Sequence, residues 1–154
     1  MLKMKVTTEL DLTGLKKLRS RLKRQEGQSL EVGHFDGHRH LDSPEHSVAE
    51  ISVINQFGMN KIPARPYMLP TMQGNFIKAE ILKSSAKIAK GDSTVAKESR
   101  VLGMLIRDSM KALIEGKIMP ANSAVTISLK GFDHPLIATE QLVDDINFRL
   151  TRDL

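Results

Sequence analysis

Cysteine and tryptophan are both absent from this chain of 154 residues. Without thiols there is no disulfide framework, no thiolate nucleophile and no cysteine-held metal, and such usage fits a reducing compartment. Aromatic residues make up only 4%, with Tyr67 the one tyrosine, so the core has to be assembled from Leu, Ile, Val and Met. No apolar run approaches the roughly 20 residues that a membrane-spanning helix needs. Behind the charged start Met1-Leu2-Lys3-Met4-Lys5 there is no apolar stretch of the kind that marks a signal peptide. The sequence therefore reads as a soluble protein made in the cytoplasm. Catalytic signatures are missing too: there is no phosphate-cradling glycine-rich loop, no G-x-S-x-G elbow and no H-E-x-x-H. The expectation is a protein that is not an enzyme and carries no cofactor.

What is present supports folding. A hydrophobic fraction of 40% is enough for a core, and the length suits a single domain over residues 1–154. Eight methionines offer adaptable packing, inside the domain or on a surface that meets partners. The net charge of +5 favours acidic partners, nucleic acid included, although a modest excess is also an ordinary solubility device.

Alternation at Leu2, Met4 and Val6 predicts a short strand. Asp11 or Thr13 then caps a helix in which Leu12, Leu15, Leu18 and Leu22 form a narrow stripe expected to pack inward. Gly27 ends it. Leu30 and Val32 predict a second strand, stopping at Gly33. Residues 35–46 have loop composition, and Ser47-Val48-Ala49-Glu50 is a capping box opening a helix that closes at Gly58. Pro63, Pro66 and Pro70 hold 62–69 extended. One long helix is predicted over about 71–90, with Ile77, Ile81 and Ile88 on one side. A second runs from beyond Gly91-Asp92 to Leu113 or Ile114, with Leu102, Ile106, Met110 and Leu113 as its stripe and Gly116 as its cap. Val125, Ile127 and Leu129 permit a strand or a helical turn, 139–143 a short turn, and Ile146, Phe148 and Leu150 a terminal strand. The fold class is α/β (α+β): a small mixed or antiparallel sheet against several helices, two of them long and central.

Four constellations are candidates for function. His34, His38, His40 and His46, with Asp36 and Asp42, are of metal-ligating type, but Gly37 and Pro44 lie among them. A solvated loop is favoured over a metal site there. The helix bearing Lys16, Lys17, Arg19, Arg21, Lys23 and Arg24 could neutralise phosphates, and Lys16, Lys17, Arg19, Lys23 and Arg24 are the candidate nucleic-acid contacts. No aromatic residue lies among them to stack a base, so a solvated or protein-facing helix is favoured. Asp144-Asp145 and Asp11 could form a carboxylate cluster, but Asp144-Asp145, read on a strand, would point apart, which gives little support to acid–base chemistry. The most informative segment is Asn55-Gln56-Phe57-Gly58 followed by Ile62-Pro63-Ala64-Arg65-Pro66-Tyr67. A proline-stiffened strand loses little entropy on docking, and Arg and Tyr are favoured interface anchors.

That segment resembles the signature of tailed-bacteriophage tail-completion and neck proteins, a family that includes minor tail and tail-terminator members. Its typical pattern is an Asn, one acidic residue and Phe-Gly, then Ile-Pro-Ala-Arg-Pro-Phe; here Gln56 stands at the acidic position. Upstream, Val32-Gly33 and Val48-Ala49-Glu50 also match. Downstream the family has a Gly, Pro-x-Asn, Thr, Lys-Gly and Pro-Leu-Ile-Asp-Thr-Gly-x-Leu. This chain supplies Gly116, Pro120, Asn122, Thr126, Lys130-Gly131, Pro135-Leu136-Ile137, Thr139 and Leu142, with Ala138 and Glu140 where Asp and Gly are common. The resemblance spans about 31–150. It implies a small sheet flanked by helices and a structural role in the virion, assembled in host cytoplasm: a ring, commonly sixfold, that caps the tail tube and joins it to the head-side connector. The expected partners are further copies of the chain, tail-tube protein and connector or neck proteins. Ile62, Pro63, Arg65, Pro66 and Tyr67 are then the expected interface residues, and Tyr67→Ala with Arg65→Ala is expected to block joining while leaving the monomer folded. The alternative is a basic nucleic-acid-binding protein that uses the 16–24 helix.

Overall fold

In the computed structural model, which describes residues 12–24 and 26–152, helices accompany one two-stranded ribbon. The strand expected at Leu2, Met4 and Val6 and the cap expected at Asp11 lie outside the described residues. The order is α1 (Thr13–Arg24), β1 (Gln28–Gly33), α2 (Val48–Phe57), α3 (Met68–Gln73), α4 (Asn75–Lys90), α5 (Val95–Glu115), α6 (Ala124–Lys130), α7 (Gln141–Asp145) and β2 (Asn147–Arg152). This is a small α+β fold whose sheet is antiparallel.

The ribbon ties the two ends of the described chain together. β1 and β2 pair from Gln28↔Arg152 to Gly33↔Asn147. Two strands alone are marginal in water, so the ribbon needs a surface to lie on. α5 supplies it at Gly103, where an added Cβ would sit 2.4 Å from Phe148 Cδ2 and 3.0 Å from Leu30 Cδ1. Only a residue without a side chain lets helix and ribbon approach this closely. On the ribbon's other face, Arg149 pairs with Glu31 at 2.7 Å and stacks over the Phe35 ring at 4.3 Å.

Local chemistry sets the helix ends. The Glu50 amide donates to Ser47 Oγ at 3.1 Å and the Ser47 amide to the Glu50 carboxylate at 2.7 Å, so the capping box forms as the sequence implies. Gly58 closes α2 at φ 75°, and Gly91 closes α4 in left-handed geometry at φ 86°. Thr94 and Ser123 cap α5 and α6 by accepting from Lys97 and Thr126 amides.

Several expectations are corrected. The helix expected over 71–90 is two helices, because Gly74 adopts extended geometry (ψ 141°) between α3 and α4. Pro70 sits in the first turn of α3, where its missing N–H costs nothing. The buried line of α4 passes through Ile77 and Ser84, leaving Ile81 exposed, and that of α5 runs through Gly103, Ile106, Met110 and Ile114, leaving Leu113 at the margin. Val125, Ile127 and Leu129 lie on a helix, and Asp144-Asp145 end α7 rather than sitting on a strand. The leucine stripe of α1 is not packed inward: Leu15 is 63% and Leu22 48% exposed. The core gathers Val48, Tyr67, Ile77, Ile106, Met110, Ile114, Leu142, Val143 and Ile146. Aliphatic side chains from α2, α4, α5 and α7 thus surround the single tyrosine.

Candidate functional site

The arm between α2 and α3 begins as a tight hairpin. Met59 and Ile62 exchange both backbone hydrogen bonds, at 3.0 and 2.8 Å, around Asn60 in left-handed geometry (φ 52°). Gly58 makes the turn possible: at φ 75°, an added Cβ would sit 2.9 Å from the Ala64 nitrogen. The chain then runs back along α2, where the Arg65 amide donates to the Asn55 carbonyl at 2.6 Å. Phe57, Met59 and Ile62 are all exposed at this tip, 67%, 48% and 44% respectively, and Pro63 beside them is exposed as well.

The base of the arm is the opposite. Arg65 is buried, and its Nε and Nη2 donate to the carbonyls of Pro120 and Ala121 at 2.7 and 3.0 Å. One guanidinium fork thereby ties the arm to the segment leading into α6. Lys130 performs a similar service at the far end of α6, donating to the carbonyls of His134, at 2.7 Å, and Ile137. Tyr67 has no exposed surface. Of the five residues expected at an interface, Ile62 and Pro63 are exposed, Pro66 is half-buried, and Arg65 and Tyr67 point inward. The expectation that Tyr67 and Arg65 project as anchors is therefore corrected. An amphipathic ring with a partner for its hydroxyl is as well suited to a core as to an interface. With Tyr67 in the core, Tyr67→Ala is instead expected to cost the monomer stability.

The partner of that hydroxyl is His34. The Tyr67 O–H donates to His34 Nε2 at 2.7 Å, and His34 Nδ1–H donates to Asp145 Oδ2 at 3.0 Å. A neutral imidazole with its proton on Nδ1 satisfies both contacts. His38 Nδ1 donates to the other Asp145 oxygen in a short contact. The side chains of His34 and Asp145 are 1% and 5% exposed, whereas His38 is 75% exposed. Burial pushes the His34 imidazole below its ordinary value, with the neighbouring Asp145 carboxylate opposing, and burial pushes the Tyr67 phenol up. The histidine loop is thus only partly the solvated loop expected, since His34 belongs to the interior. A signal for this exists in the sequence: His34 continues the period of two set by Leu30 and Val32 on the buried face of β1. Nothing local marks Asp145 as its partner.

Gln56, on the inner face of α2, accepts the Met68 amide at 3.2 Å through Oε1, at the first turn of α3. Its Nε2 is buried with no hydrogen-bond partner among the described residues. Glu140 holds left-handed geometry (φ 60°, ψ −6°) at the entry to α7. The candidate nucleic-acid contacts lie elsewhere. Lys16, Lys17, Arg19 and Lys23 are exposed along α1, and Arg24 ends that helix. α1 meets the α4–α5 turn through Arg21 and Leu22, which share a crevice with Ile88 and Gly91. Among the described residues no group of three or more His, Cys, Asp or Glu could hold a metal ion, and no helix is long and apolar enough to cross a membrane. No family model, curated protein or solved structure matches this chain.

Proposed function

We propose that the chain is a structural subunit of a tailed-phage tail-completion or neck assembly, which associates with further copies of itself and with tail-tube or connector protein. The observation that carries this reading is the hairpin tip. Phe57, Met59 and Ile62 are large apolar side chains held in water on a rigid base, although the same chain has a core that could take such residues. A stiff apolar projection of this kind loses little conformational entropy when a partner covers it.

Two of the departures from the family pattern, Gln56 and Glu140, are also compatible with the resemblance. Where the family has an acidic residue, Gln56 uses only its oxygen, accepting a helix-terminal amide, and leaves its amino group without a partner. A carboxylate would serve that amide and the helix terminus equally. Where the family has Gly, Glu140 occupies a left-handed backbone that glycine adopts without strain. Both positions retain the geometry that suits the family residue.

The test is M59D/I62D in the intact phage. Both side chains are exposed, so the monomer stays folded by circular dichroism while full heads and finished tails accumulate unjoined under negative stain. Normal yields of infectious particles from that variant would overturn the assembly role.

A further inference from the structure

We propose that α1 of one copy docks along the outer face of α2 in a second copy, leucines against Val53 and Phe57, cations against the carboxylates at the head of that helix. The donor surface is α1 itself. It holds Lys16, Lys17, Arg19, Arg21, Lys23 and Arg24 with no acidic residue, and Leu15, Leu18 and Leu22 recur along one side. Most of that side is exposed, which is costly unless something covers it.

The acceptor surface has the complementary composition. On α2, Val48, Ser52 and Gln56 face inward, so Glu50, Val53 and Phe57 line the outer face, with Val53 53% and Phe57 67% exposed. The loop leading into α2 places exposed Leu41, Asp42 and Glu45 at its head. Gln141 straps that loop to α7 by bonding the Arg39 carbonyl at 2.7 Å and the Leu41 amide at 2.9 Å, which brings Glu140 and Asp144 to the same end of the molecule. Asp36 lies there too, beside His38 and Asp144. Through residues 36–50 and 140–145 the one Lys or Arg is Arg39.

The ribbon keeps the two surfaces apart. α1 leads into β1 at Gln28, whereas the acidic loop leaves it at Gly33, paired with Asn147 just beyond α7. Six strand residues separate these ends by ~20 Å. Each copy thus presents a basic apolar helix at one pole and an acidic apolar helix at the other. Contact between unlike poles is heterologous and closes into a ring or continues as a filament. The inference rests on the assembly reading only for closure into a ring; the contact stands on the matching charge and apolar faces. A duplex polyanion would use the cations of α1 but leave its leucines in water, so a second copy is the better fit.

Sedimentation velocity on the full chain tests this. The wild type associates at low salt, with affinity falling about tenfold or more between roughly 50 and 500 mM salt. K16E/R19E/K23E and D36K/D42K/E45K, all at exposed sites, are each monomeric alone, and an equimolar mixture of the two restores association. V53D weakens association at every salt concentration without changing the circular dichroism. A wild type that stays monomeric overturns the proposal, as does association that survives either charge reversal. Salt-sensitive retention of duplex DNA by α1 without self-association would overturn it in favour of a nucleic-acid partner. A ring or virion role that persists with the reversed charges would overturn this contact and leave the assembly reading intact.

Discussion

The arm and α1 both hold large apolar side chains in water, yet they are attached to the protein in different ways. The arm is rooted by Arg65 in two backbone carbonyls and by Tyr67 in a buried chain of polar bonds. α1 leans on the α4–α5 turn through Arg21 and Leu22. In the arm, exposure ends abruptly: the chain passes from an open tip at Ile62 to a fully covered ring at Tyr67 within five residues. In α1 the exposure runs the length of the helix. The difference separates an apolar projection that is part of the folding unit from an apolar helix face that folding leaves largely unused.

The largest test of that contrast is Tyr67→Ala, which should lower unfolding stability by roughly 3–5 kcal/mol in urea titrations. A loss under about 1 kcal/mol would mean that the arm's root is not part of the core. Tyr67→Phe keeps the ring and removes the hydroxyl that bonds His34 Nε2 and also meets Ser52, so about 1–3 kcal/mol should be lost. An unchanged unfolding midpoint would show that the hydroxyl's bonds are idle.

Acidity sharpens the same point. The folded His34 pKa lies below the ordinary 6.5, so below that range the unfolded chain takes up the proton more readily. The stability tied to neutral His34 is therefore complete above about pH 6.5 and lost as pH falls through the histidine range, where Asp145 and Tyr67 are the groups that face it. In His34→Gln this part of the pH dependence should flatten, and an unaltered slope would assign it elsewhere. At alkaline pH the sign follows from Tyr67. Its folded pKa is raised above the ordinary 10.0, so stability falls as pH rises through that value.

Two smaller effects complete the comparison. Glu140→Gly should raise stability by about 1 kcal/mol by relieving a left-handed residue, and a thermal shift assay showing destabilisation would point to a contact made by the carboxylate. Leu15→Ser on α1 should change monomer stability by no more than about 0.5 kcal/mol. A larger loss would place that leucine in the folding unit and narrow the contrast with the arm.

Much of this was readable from residue order because it is enforced locally. The capping box at Ser47, the stop at Gly58, the stiffened arm and the alternation of Leu30 and Val32 each depend on neighbours within a few positions. The break at Gly74 was missed because apolar spacing continues across it, and one glycine inside a periodic run does not announce which geometry it takes. The leucine stripe of α1 misled in another way. Periodicity shows that a helix has an apolar side but says nothing of whether the same chain covers it.

The sequence by itself determined the helices α1, α2 and α5, several helix ends, the strands around Leu30–Val32 and Phe148–Leu150, and the position of the proline-stiffened arm. Tertiary structure alone decided which of its residues face out. Arg65 and Tyr67 lie inside because carbonyls from 55 and 56 positions away and an imidazole from 33 positions away converge on them. Such convergence joins positions remote in the chain, and a buried polar group is stable only where those distant partners meet it.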